Sequence, residues 1–122
     1  MKGILKQHGL LPNNEQELLL RACLLSNQDA VDAWQKWRVM EDIDLLDHSS
    51  NRLLPLLYYN LEKHGITDSI MNRYKGTYKK NWYKNQILFG ELRLILNLLQ
   101  KEGIDILMLK GAALLLNTYP TY

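Results

Sequence analysis

Residues Gly103–Leu116 read GIDILMLKGAALLL, and they indicate the class of this protein more clearly than any other segment. An apolar run, Ile104 to Leu109, leads into Lys110 and Gly111 and then into residues that favour helix. This order predicts a buried strand, a glycine turn and a short terminal helix, although a short buried helix would also fit the apolar run. In many folds such a turn presents backbone N–H groups and a lysine to a phosphate group.

The predicted turn consists of Lys110, Gly111 and Ala112, and we consider these three residues a candidate phosphate-binding site. Gly111 would supply a positive φ or a close approach of the backbone to a ligand. Ala112 leaves space, and the N-terminus of the following helix adds partial positive charge. A lysine and a glycine after an apolar run also form ordinary turns, so the pattern alone does not identify a ligand.

The residues before this turn are predicted to form helices. Either Asn13 or Asn14 can cap a first helix. The Ser-x-x-acid pair of Ser26 and Asp29 marks the start of a second helix, and Ile43 belongs to a third, short one.

Two further helices are expected. A fourth helix begins near Leu53, accommodates Pro55 in its first turn and ends at Gly65. From Thr67 to Gly103 apolar residues recur at steps of three or four, which predicts one long helix or two collinear ones. The fold class is therefore mainly α: a helical bundle of about five helices with one long helix, plus a single C-terminal strand and a short terminal helix.

Length and composition predict one domain over residues 1–122, with a helical region at 14–102 and the strand, turn and helix at 103–122. The net charge of +2 is too small to indicate a partner by itself. The lone cysteine, Cys23, excludes a disulfide within the chain and favours a reducing compartment. Neither an export signal nor an 18-residue apolar span is present, so we expect a cytoplasmic protein with no membrane partner.

Asp42 and Asp44 form an Asp-x-Asp pair, which on a strand points both carboxylates to one face and can bind Mg²⁺. This pair lies among helical patterns, where residues two apart diverge by about 200°. Both carboxylates also suit the first turn of a helix. His48 and His64 have no second ligand at metal spacing. The sequence therefore predicts neither a catalytic residue nor a metal site in this chain.

A basic and aromatic segment, RYKGTYKKNWYK, extends from Arg73 to Lys84 without an acidic residue. Surfaces that bind single-stranded nucleic acid combine cations and aromatic rings in this way. The residues that would carry such binding are Lys75, Lys79, Lys80, Trp82 and Lys84. However, Tyr74, Tyr78 and Trp82 are spaced four apart, which places them on the apolar side of the long helix. Buried aromatics with lysines on the opposite face are the favoured interpretation, and nucleic acid stays an alternative partner.

Three segments, taken in order, resemble a known family. They are RLLPLLYYNLEKHGI (Arg52 to Ile66), the long helix with Asn81, Asn85 and Leu92, and GIDILMLKGAALLLNTYP (Gly103 to Pro120). From about Leu18 onward the chain resembles the uncharacterised bacterial nucleotidyltransferase-like family of the polymerase-beta-type nucleotidyltransferase superfamily. The most specific parts of the resemblance are the strings Leu-Pro-Leu-Leu-Tyr and Leu-Lys-Gly-Ala-Ala.

This resemblance implies that the turn at Lys110, Gly111 and Ala112 would grip a nucleoside triphosphate, with Ala112 where better-known members have serine. Mg²⁺ and a nucleoside triphosphate are implied for a complete relative, and no cofactor is expected in this chain. Family members continue past the counterparts of Tyr119 and Pro120 into a strand whose Asp-x-Asp holds two Mg²⁺ ions. We therefore expect this truncated N-terminal part, an incomplete palm joined to helices, to be catalytically incompetent alone.

The expected partners follow from the apolar segment that begins at Ile104. A strand without neighbours exposes backbone and apolar side chains, so we expect a homodimer or association with the missing C-terminal portion. Nucleotide binding would be weak. An alternative function is a helical protein-interaction module that associates through this C-terminal apolar segment.

Overall fold

The structure is a computed structural model that describes residue 9 and residues 11–113. Within these residues the protein is mainly helical, with one long helix, as the sequence predicts. The elements are α1 (Asn14–Leu24), α2 (Asn27–Met40), a 3-10 helix (Ile43–Leu45), α3 (His48–Lys63) and α4 (Met71–Lys101). The chain divides into two compact units, Met1–Tyr78 and Lys79–Tyr122. That residues 1–122 form one domain, helical over 14–102, stays a prediction.

Helix α1 is capped by Asn13, one of the two residues that the sequence predicts for this role, and the cap is reciprocal. The Asn13 side-chain oxygen accepts a hydrogen bond from the Gln16 N–H at 2.8 Å, and the Gln16 side chain accepts one from the Asn13 N–H at 3.0 Å. This capping box satisfies two N–H groups that the first helical turn leaves without partners. Helix α2 also starts where predicted, with Ser26 as its N-cap and Asp29 in its first turn, but the Ser26 side chain makes no hydrogen bond to the helix.

The corner between α1 and α2 is closed by side chains of α3 instead. Asn60 donates from Nδ2 to the carbonyl oxygens of Ala22 at 2.8 Å and Leu25 at 2.9 Å. His64 Nε2 accepts a hydrogen bond from the N–H of Asn27 at 2.8 Å. Asn27 itself has a left-handed backbone, with φ 59°. Because that N–H only donates, the ring proton lies on Nδ1, which donates to the Asn60 carbonyl at 2.6 Å.

Helix α3 starts earlier than the sequence indicates. The carboxylate of Asp47 accepts from the N–H groups of Ser49 at 3.1 Å and Ser50 at 3.4 Å, so it caps a helix that begins at His48. Pro55 therefore lies inside the helix and not in its first turn. The helix ends as predicted at Gly65, with φ +74° and hydrogen bonds from Gly65 to Glu62 and from Ile66 to Leu61.

The core of the first unit is an apolar cluster contributed by α1, α2, α3 and the start of α4. Leu19, Leu57 and Leu61 are fully buried, and burial of each side chain stabilises the fold by roughly 2 kcal/mol. The tryptophans of α2 and the aromatic residues facing them belong to the same cluster. Buried Trp34 donates from its ring N–H to the hydroxyl of Tyr74 at 3.3 Å, so the start of α4 is joined to α2 by a buried hydrogen bond.

In the second unit, α4 ends at a glycine as predicted, but the expected strand is absent. Gly103 has φ +71°, and Ile104 N–H bonds to the carbonyl of Leu99 across the helix end. Residues 104–109 form neither helix nor strand, and no strand occurs within the described part of the chain. A strand requires a paired neighbour for its backbone groups, and the described residues offer no second extended segment.

The remaining C-terminal expectations are tested only in part. Residues 111–113 are helical, and the rest of the expected terminal helix lies outside the described residues.

Within residues 11–113, no helix has both the length and the apolar content needed to cross a membrane.

Candidate functional site

The predicted phosphate-binding turn keeps its place at the start of a helical turn, but its backbone differs from expectation. Lys110 is the left-handed residue, with φ 59°, and Gly111 is not. Of the two roles predicted for Gly111, the positive φ is therefore wrong, and the close approach of the backbone to a ligand stays a prediction. A Cβ added to Gly111 would meet no atom of the described residues within 4 Å. Lys110 and Gly111 are exposed and Ala112 is half-buried, so a ligand can reach this turn from solvent.

A left-handed lysine is a costly conformation for a residue with a Cβ. For L-residues other than glycine it costs roughly 1–2 kcal/mol. Such outliers concentrate at ligand clamps, where the backbone is held ready for its function. The strained residue in this turn is therefore Lys110, which carries the charge. Gly111 beside it is the first residue of the helical turn.

Asp42 and Asp44 do not form a pair of free carboxylates. Asp42 accepts a hydrogen bond from the Asp44 N–H at 2.9 Å and so caps the 3-10 helix. The Asp44 carboxylate is hydrogen-bonded and ion-paired to the guanidinium of Arg73 in α4. That hydrogen bond lowers the pKa of Asp44 below its ordinary 3.8, and the attraction between the charges adds to it. The two aspartates therefore serve local structure.

Metal-ligating side chains are not clustered in the described part of the chain. Magnesium requires several oxygen ligands at close range, usually including carboxylates. Within residues 11–113, no three His, Cys, Asp or Glu side chains are grouped so that they could hold a metal ion.

Cys23 is not a nucleophile in the folded chain. Its side chain is buried, and burial raises the pKa of the thiol to about 12. Because only the thiolate attacks electrophiles, this group is inert near neutral pH.

The aromatic residues of the basic segment divide into two groups. Tyr74 is buried, and Tyr78 packs its ring 5.1 Å from that of Tyr58, as the four-residue spacing predicts. Trp82 continues this spacing but is 45% exposed, and the neighbouring Tyr83 is 65% exposed. The expectation that Tyr74, Tyr78 and Trp82 lie on a buried side therefore holds only as far as Tyr78.

The cations of this segment are also divided. Arg73 is ion-paired with Asp44. The four lysines Lys75, Lys79, Lys80 and Lys84 are exposed. Among the described residues, none of these four lysines forms an ion pair with a carboxylate. Tyr83 is a candidate that the sequence did not single out. Its position three residues after Lys80 and four after Lys79 was the available signal.

Comparison with known proteins gives one match. Residues 48–122 match a family model described as uncharacterised nucleotidyltransferase. No curated protein and no solved structure matches the chain. The matched region starts at the first residue of α3 and includes α4 and the Lys110 turn, whereas Asp42 and Asp44 lie before it.

Proposed function

Because this chain belongs to the uncharacterised nucleotidyltransferase family, we propose that it is the helical portion of a nucleotidyltransferase-like protein. In this proposal Lys110, Gly111 and Ala112 hold the phosphates of a nucleoside triphosphate. The family match carries the proposal, since residues 48–122 include both the helices and this turn. The exposed lysine supplies positive charge, and the start of a helical turn is a position that favours an anion.

We also propose that residues 1–122 do not transfer a nucleotide on their own. Two-metal transfer requires carboxylates that clamp both ions. Asp42 and Asp44 lie before the family match and are engaged with the 3-10 helix and with Arg73. From His48 onward the acidic residues are Glu62, Asp68, Glu91, Glu102 and Asp105, and no two of them are separated by a single residue.

Nucleotide binding is tested by titrating the full chain with ATP in the presence of Mg²⁺, using isothermal titration calorimetry. We expect weak binding that Lys110→Ala reduces by about 10- to 150-fold, in line with the loss of one charge-assisted contact of about 1.5–3 kcal/mol. Lys101→Ala is the matched control, because it removes another exposed lysine from the same unit. Equal affinities in the two variants would exclude the Lys110 turn as the binding site.

Transfer is tested separately with each of the four labelled nucleoside triphosphates, Mg²⁺ and a mixture of hydroxyl-bearing acceptors. We expect no release of pyrophosphate above the protein-free rate. Magnesium-dependent release by this chain would overturn the proposed incompetence while leaving the binding proposal intact.

A second candidate function is association through the apolar segment after α4, in a homodimer or with a further portion of the protein. Within residues 11–113 this segment has no paired strand, and Leu107 is 82% and Leu109 68% exposed. Exposed apolar side chains in series favour burial against another surface. We expect a dimer in light scattering that Ile106→Asp with Leu107→Asp abolishes. Leu45→Asp, at a first-unit site that is 79% exposed, should leave it intact. A monomeric wild-type chain would contradict this candidate.

A further inference from the structure

The exposed part of the basic segment has the properties of a nucleic-acid surface. It comprises Lys79, Lys80, Trp82, Tyr83 and Lys84, all in the second unit, and is called the basic-aromatic patch below. We propose that the basic-aromatic patch binds single-stranded polynucleotide, with the lysines on phosphates and the two rings stacked on bases. This activity is separate from the proposed triphosphate site at Lys110.

Helix geometry brings the patch together. All five residues lie in α4, where side chains three and four residues apart are neighbours. Tyr83 follows Lys79 by four residues and Lys80 by three, so two lysines flank its ring on the preceding turn. Trp82 follows Lys79 by three residues, and Lys84 follows Lys80 by four. The patch thus places two rings and three cations on adjoining sides of about one and a half helical turns.

The charge around the patch is of one sign. The sequence contains no Asp or Glu between Asp68 and Glu91, and Arg73 is the one cation in that interval that has a carboxylate partner in the described structure. Lysines without carboxylate partners keep their full charge available to a phosphate backbone. A run of unneutralised cations favours a polyanion over a neutral or basic partner.

The two rings select the kind of polyanion. Trp82 and Tyr83 are large apolar side chains that remain 45% and 65% exposed beside the lysines. Bases stack on aromatic side chains when their faces are free, as in a single strand, whereas the bases of a duplex are already stacked on one another. The combination of rings and cations therefore points to a single strand.

Binding is measured with the full chain and a fluorescein-labelled 20-mer of deoxythymidine, by fluorescence anisotropy. Three lysines on a single strand predict that log K falls against log salt with a slope of about −2, at about −0.7 per phosphate contacted. Affinity should then weaken roughly 15-fold between 50 and 200 mM salt. An unlabelled duplex of equal length should compete poorly, and anionic lipid vesicles should not compete at equal charge.

Matched variants locate the binding site. Lys79→Gln with Lys80→Gln should reduce the slope to about −0.7, because two phosphate contacts are lost. Lys36→Gln with Lys63→Gln removes the same charge from exposed positions of the first unit and should leave the slope unchanged. Trp82→Leu and Tyr83→Leu keep apolar bulk but remove a stacking surface, and each should weaken binding about tenfold. Circular dichroism checks that every variant keeps its helix content.

Several outcomes would overturn the proposal. They are the absence of binding at 50 mM salt, equal slopes for the two lysine pairs, duplex competition as strong as that of single strand, and unchanged affinity after both ring substitutions. Lys110→Ala should not alter oligonucleotide binding. This variant therefore distinguishes a failure of the patch from a failure of the triphosphate site.

Discussion

Replacing Asn60 tests whether α3 holds the corner between α1 and α2. The Asn60 side-chain amide donates to the carbonyl oxygens of Ala22 and Leu25, which the end of α1 leaves without helical partners. In Asn60→Ala both oxygens lose their donor, and Ala22 is fully buried. In Asn60→Asp the shape is kept, but a carboxylate that only accepts then faces two acceptors.

The expected loss in the free energy of unfolding for Asn60→Ala follows from two hydrogen bonds. Each contributes about 1 kcal/mol net, and a buried oxygen left without a donor adds roughly another 1 kcal/mol. Alanine recovers about 0.6 kcal/mol because it favours helix more than asparagine does. We therefore expect Asn60→Ala to lower the free energy of unfolding by about 2 kcal/mol. At about 2.1 cal/mol/K per residue of unfolding entropy, this corresponds to a fall in Tm of about 8 °C.

The assay is urea unfolding followed by circular dichroism. We expect a lower midpoint with an unchanged m-value for Asn60→Ala, and a larger loss for Asn60→Asp that increases with pH as the carboxyl ionises. Asn51→Ala is the control, since it makes the same substitution at an exposed site on the same helix. If all three variants unfold within 0.5 kcal/mol of one another, on the order of an ordinary surface substitution, the corner is not held by Asn60.

The other predictions concern the reactivity of the Cys23 thiol, the loss of stability at alkaline pH and the substitution of two glycines. Cys23, whose pKa burial raises to about 12, should resist iodoacetamide at pH 8 in the folded chain and react once the chain is unfolded, and rapid native alkylation would contradict its burial. A hydrogen bond to a carboxylate and burial raise the pKa of Tyr58 to about 12. The unfolded chain loses the protons of the Cys23 thiol and the Tyr58 hydroxyl from pH 9–10 upward, whereas the folded chain keeps them to about pH 12. The free energy of unfolding should therefore fall across that window. Tyr58→Phe should make this fall shallower in melts from pH 8 to 11, and an unchanged slope would count against it. Gly65→Ala should destabilise by about 1 kcal/mol, because φ is +74° although the space is open, whereas Gly76→Ala inside α4 should stabilise by a similar amount. Chemical denaturation of both variants checks the opposite signs, and equal signs would refute the conformational argument.

The features that the sequence predicted correctly are those that a few neighbouring residues determine. The cap at Asn13 and the glycine ends at Gly65 and Gly103 need only local hydrogen bonds, and all three are present. The start of α3 was misplaced because Asp47 ends an acidic run in which several residues could cap a helix. The apolar pattern begins later than the helix does, and it places the predicted start near Leu53.

The features that the sequence did not predict depend on partners distant in the chain. A strand at Ile104–Leu109 needs a paired segment, which apolar content alone does not provide. Spacing correctly grouped Tyr74, Tyr78 and Trp82 on one side of a helix. It did not reveal that this side is covered at Tyr74 and open at Trp82, because periodicity gives the face of a helix and not what lies against it.

The corner that Asn60 and His64 close also has a consequence for biosynthesis. The residues that these side chains bind precede them by 35 to 38 positions, so the ribosome synthesises α1 and α2 before it reaches Asn60 and His64. Until α3 emerges, the nascent chain therefore lacks the hydrogen bonds that Asn60 and His64 make to this corner, and the peptide bonds around Ser26 are more open to proteases.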